Sequence, residues 1–146
     1  MANKGWGGSA EGESHSYKVG LRNVGSYQVS GTPWITGSTD IDNGAEHHHQ
    51  FPFVTKAFTV LQRGTGELRI HFASKDTNPG VYNDLHFIKL DGDEESITLN
   101  VKCKEVFISA VADNSAYDLI AELTNIPTGS MFTLTGSGIT EDTTVE

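Results

Sequence analysis

Glu46 is followed by three consecutive histidines, His47, His48 and His49. Alternate side chains of an extended strand share a face, so His47 and His49 would point the same way and could hold Zn²⁺ through two imidazoles. His71, His86 and Glu46 are the further ligands on offer. A metal site built on a His-x-His pair would be completed by a glutamate a few residues on, but here Gln50, Phe51, Pro52 and Phe53 follow. The ligand set is therefore incomplete. The other reading is a polar strand whose histidines bond loop carbonyls or an adjacent subunit, a contact that could respond to pH because imidazole titrates near neutrality.

Two acidic clusters invite a calcium reading and fail it. Counting from Asp91, through Asp93 and Glu95, an EF-hand loop needs glycine at its sixth position and glutamate at its twelfth; the chain has Ser96 and Lys102. Counting from Asp40, through Asp42 and Gly44, the twelfth position is Phe51. Both read as solvated turns. Cys103 stands between Lys102 and Lys104, which could lower a thiol pKa, but no base partner is evident and a lone strand cysteine usually packs. No Gly-x-Ser-x-Gly elbow, phosphate-binding glycine loop or His-Glu-x-x-His helix occurs. The expectation is a protein that is not an enzyme and needs no cofactor.

Lys4 and Trp6 lie in a Gly/Ser-rich stretch, residues 1–16. Such a segment cannot bury enough apolar surface to offset ~1–2 kcal/mol of backbone entropy per residue, so it gains order only against a neighbour. Trp6 suits an anchor that inserts into a partner's pocket, or one that docks back on its own domain. Trp34, after Gly31, Thr32 and Pro33, would cover one end of the core.

The elements that must position these residues read as strands. Tyr17, Val19 and Leu21 alternate with polar positions, and Val24–Val29 continues the theme. Phe51–Gln62 is a long apolar-rich run, with Pro52 confined to a strand start, bulge or edge. Arg63–Glu67 carries two glycines and predicts a hairpin into Leu68, Ile70 and Phe72. Residues 74–80 form a loop, 81–90 a strand, 91–95 a tight acidic turn. Ile97–Val101 and Val106–Ala110 follow as strands. Residues 116–123 contain helix formers, but their alternation and context favour a strand. A last turn and strand end near residue 135, and an acidic tail covers 136–146. Seven to nine short strands predict an all-β domain over residues 17–135, a β-sandwich or jelly roll.

The chain has 146 residues, one domain's worth, and 10 Lys+Arg against 19 Asp+Glu give a formal charge of −9. That balance argues against sequence-independent nucleic-acid binding and against an anionic membrane surface, both of which need clustered cations. The lone cysteine excludes an intrachain disulfide framework, and no apolar run resembles a signal peptide or a ~20-residue membrane span. Synthesis in a reducing cytoplasm is expected.

Residues 24–37 (ValGlySerTyrGlnValSerGlyThrProTrpIleThrGly), 51–56 (PheProPheValThrLys), 67–72 (GluLeuArgIleHisPhe), 85–90 (LeuHisPheIleLysLeu) and 121–141 together resemble small virion structural proteins of marine tailed bacteriophages, of the cyanophage type. The resemblance spans most of the chain from Val24 onward and carries no catalytic residue. It implies a capsid decoration or cement protein, located on the virion's capsid surface. Its partners would be the major capsid protein and further copies of itself. Two alternatives stand beside it. One is a neck or tail component of the same particle; the other is a carbohydrate- or metal-binding jelly-roll module using His47, His49 and the Trp34 loop.

Overall fold

The computed structural model describes residues 18–138, so the expected anchors Lys4 and Trp6 and most of the acidic tail lie outside the described residues. A helical turn, α1 (Gly25–Gln28), precedes β1 (Thr32–Ile41), β2 (Glu46–Gln50), β3 (Phe53–Gln62) and β4 (Leu68–His71). A second turn, α2 (Gly80–Asn83), leads to β5 (Ile88–Leu90), β6 (Ser96–Leu99), β7 (Glu105–Ala110) and β8 (Ser115–Pro127), after which a 3₁₀ turn covers Thr128–Ser130.

The strands form two four-stranded sheets, ordered β1-β8-β3-β6 and β2-β7-β4-β5, with antiparallel pairing throughout. The chain changes sheet at every connection except β4 to β5. This order is that of a jelly roll, the all-β sandwich anticipated from the alternation. The alternation itself decides which face is buried: in β8, Tyr117, Leu119, Ala121 and Leu123 face inward while Ile120 and Glu122 face out. They meet Val106, Ile108 and Ala110 of β7 and Leu68 and Ile70 of β4 in one core, with Phe58 and Val60 of β3. Fully burying side chains of this size stabilises the fold by ~1.5–3 kcal/mol each. Pro52 sits just before β3, where its missing N–H removes no ladder bond.

Four local expectations are corrected. Residues 18–29 are loop and one helical turn, because local polar groups satisfy the backbone there: Gly20 N–H donates to Ser26 Oγ and Gly25 N–H to Asn23 Oδ1. Arg63–Glu67 is not a hairpin between paired strands but a link between sheets. Its N–H groups donate to the start of β8 and the turn before it, Arg63 to Ala116 O and Thr65 to Asn114 O. The expected strand over 81–90 is largely α2 and loop, with only Ile88–Leu90 in the sheet; Pro79 starts the turn and Leu85 takes a left-handed φ of 60°. After the 3₁₀ turn, residues 131–135 form no strand; Met131 packs into a small cluster with Val54 and Ile126 instead.

Candidate functional site

Strand β2 is an edge strand, and its two faces do different work. His47 and His49 pair across the ladder with Ile108 and Val106, whose side chains are core, so both imidazoles turn toward the space between the sheets. There they meet Tyr117 of β8. His47 Nδ1 lies 2.8 Å and His49 Nε2 2.6 Å from the Tyr117 phenol oxygen. The histidines are half-buried and the tyrosine fully buried. Burial pushes the phenol pKa up, and burial followed by the charges of His47 and His48 lowers that of His49 to about 4. At neutral pH the phenol therefore carries its proton and His49 is neutral with a lone pair. Trp34 of β1 packs edge-on against His49 and Phe51, with ring centroids 6.3 and 5.1 Å away. It packs against the core from β1, and its ring is half-buried.

On the outer face, His48 stacks on Phe107 at 4.1 Å and its Nε2 lies 2.7 Å from Glu105. The β4–β5 connection covers the rest of this face. Beneath it His71 is fully buried, with Nε2 2.9 Å from Ser109 Oγ and Nδ1 2.8 Å from Ala73 O. A carbonyl only accepts, so Nδ1 carries the hydrogen and Nε2 accepts from the serine. Glu46 Oε2 stands 3.7 Å from Nδ1, while its two oxygens accept from Ser74 Oγ and Lys75 N–H. Ser109, His71 and Glu46 thus have the chemical makeup of a nucleophile, base and orienting acid. Ser109 has no exposed surface, however, and Tyr82 Oη caps it at 2.5 Å. The arrangement is a closed polar strut. Arg69 beside it lies 4.8 Å from the Tyr82 ring centroid and 4.3 Å from that of Phe87, and pairs with Glu67 at 2.6 Å.

The other groups singled out in the sequence are spread apart. Cys103 is buried; its amide donates to Thr55 Oγ1 and desolvation pushes the thiol pKa up to about 11. Its flanking lysines do not activate it: Lys102 donates to Leu21 O and Lys104 to Met131 O. In the 91–95 turn, Glu95 accepts from the Asp91 amide, and Gly44 sits at φ 88°, as turns require. His71 and Glu46 lie on the outer face, away from His47 and His49. Among the described residues no three His, Cys, Asp or Glu side chains converge on one point.

Two surface grooves of about 500 Å³ each flank these elements. One is largely apolar, with Tyr27, Phe72, Met131 and Phe132 beneath Lys56 and Lys102. The other is more polar, with Thr77, Asn78 and Thr133 beside His48 and Glu105. Tyr117 and Ser109 were missed from sequence. Each reads as an ordinary strand residue, and only the pairing of β8 and β7 with distant partners reveals its contacts. No protein-family model, curated protein or solved structure matches this chain.

Proposed function

We propose that this chain is a non-enzymatic virion structural protein that decorates and stabilises a tailed-phage capsid by binding its major capsid protein. The observation that carries the non-catalytic part is the internal use of the reactive groups. Ser109 is capped, Cys103 is buried with a raised pKa, and the inward histidines are engaged by Tyr117. What remains outward is adhesive. Among the described residues β1 is an edge strand of ten residues with no strand on its far side. Beside that edge Ile35 is 70% exposed, and its cross-strand partner Ile120 is 41% exposed. An open edge next to apolar side chains is a template for a strand of another chain.

The capsid assignment rests on the sequence resemblance. The jelly roll is compatible with it and with lectins and cupins alike, so architecture does not select among them. Repetition over a lattice would make modest single contacts effective. The test is to add purified protein to expanded, undecorated capsids and image the particles. Regular density over the head supports the proposal. Density confined to the neck or tail supports the alternative location, and absence of binding overturns both.

A further inference from the structure

We propose that His47 Nδ1, His49 Nε2 and Tyr117 Oη form a three-donor binding site for a first-row transition-metal ion of the imidazole-and-phenolate class, with Cu²⁺ the strongest fit. The proposal is independent of the decoration reading.

Its first support is convergence. Two imidazole nitrogens from alternate residues of β2 and one phenol oxygen from β8 meet with nitrogen–oxygen separations of 2.8 and 2.6 Å. Donor atoms bonded to one small ion at ~2.0–2.2 Å stand somewhat farther apart than this, so an ion would take the place of the shared hydrogen as the side chains draw back slightly. Two imidazoles and one oxygen donor suit copper, zinc or iron, and the intrinsic affinity order puts Cu²⁺ first. The sequence's missing glutamate is thereby replaced by a residue some seventy positions away, which no local motif could reveal.

The second support is position. The site lies at the seam between the sheets, on the side where edge strands β1 and β2 run. The two histidines are half-buried and point inward to the fully buried Tyr117, so the three donors lie inside the seam on a fixed interior anchor. Trp34 braces His49 from one side, and the β2–β7 ladder fixes the spacing of the two imidazoles. Preset donors lower the ordering cost of binding.

Loading replaces a proton. The phenol O–H bond breaks, the oxygen's electron pair forms the bond to the ion, and the proton leaves to solvent; no electron changes hands. The ion would tie β2 of one sheet to β8 of the other.

The test is titration of the full-length protein with Cu²⁺, followed by calorimetry and by visible absorption, where a phenolate bound to Cu²⁺ gives a charge-transfer band. We expect saturable binding of one equivalent carrying that band. Tyr117→Phe should abolish the band and weaken binding at least tenfold, and His49→Ala should weaken it comparably. His48→Ala should leave both intact, because His48 is on the opposite face. Absence of the band in the wild-type protein overturns the proposal, whatever the affinity. So does a His49→Ala protein that is folded by circular dichroism and binds as tightly as wild type. If Tyr117→Phe does not fold, the wild-type band and the His49→Ala affinity still decide.

Discussion

Nε2 of His71 lies 2.9 Å from Ser109 Oγ, with the Ser109 hydroxyl closed on its other side by Tyr82 Oη at 2.5 Å. Nδ1 gives its hydrogen to Ala73 O, so the neutral imidazole accepts the serine hydroxyl at Nε2. Burial, the largest influence, lowers the pKa of His71 below its ordinary 6.5, against the raising effects of the Ala73 bond and Glu46. In the unfolded chain the same group takes up a proton near its ordinary value, so below about pH 6.5 the unfolded state binds more protons than the folded one. Stability should therefore hold steady above that point and fall as pH drops from about 6.5 through the depressed folded value. His49, lowered to about 4, adds a loss of the same sign over that range. Urea denaturation across this range should show the midpoint moving down. A flat midpoint between neutrality and about pH 5 would contradict the assignment of a neutral, buried His71.

Cys103 should behave as an inert core atom. Its thiol pKa of about 11 leaves little thiolate at neutral pH, and its side chain has no exposed surface. Alkylating reagents act on the thiolate. Native protein should resist iodoacetamide and react only as fast as it opens, so the labelling rate should rise in parallel with added denaturant. Rapid stoichiometric labelling without denaturant would show Cys103 reachable in the native fold.

The strands that alternate most cleanly were legible from sequence, and those whose fate depends on distant partners were not. Val106–Ala110 and residues 116–123 carry an inward apolar face, and both are strands, the second extended to Pro127. Residues 24–29 alternate as well, yet the polar groups of Asn23 and Ser26 capture backbone N–H groups and curl the segment into a turn. Residues 81–90 carry apolar side chains that serve a loop covering the β4 face, with Val81 and Phe87 packing as lid residues would. Of the histidine cluster, the shared face of His47 and His49 could be read from a period of two. Their common partner could not, because β8 reaches that seam only through the sheet-to-sheet crossings of the whole chain.

Gly64 locks two turns together, and replacing it should cost stability. Its position lets Thr65 and Gly66 donate to Asn114 O, and a Cβ there would fall well inside van der Waals contact with that same oxygen. Backbone offers no flexible end to yield, so Gly64→Ala should destabilise by about 1–3 kcal/mol, the range for overpacking. Gly129→Ala is the control, since nothing lies within 4 Å of its would-be Cβ and its φ is not positive. It should leave the thermal midpoint within a degree or so of wild type, with changes under about 0.5 kcal/mol. Equal behaviour of the two variants would remove the interlock from the account of the fold.

Ile35 and Ile120 begin a row that crosses the first sheet, continuing through Thr59 to Thr98. Thr59 and Thr98 satisfy one another at 2.8 Å, so the apolar part of the row is the pair nearest the β1 edge. A side chain that is 70% exposed contributes little to the core, and Ile35→Lys should change stability by no more than about 0.5 kcal/mol. The same substitution puts a desolvation-averse charge where an adhesive contact is proposed, and a lysine on an edge strand discourages pairing with another chain. Ile35→Lys should therefore melt like wild type while losing co-sedimentation with expanded capsids by tenfold or more. Thr98→Lys, at the far end of the row, should retain it. Undiminished co-sedimentation of the folded Ile35→Lys protein would move the contact off the β1 edge and leave another surface to carry the decoration.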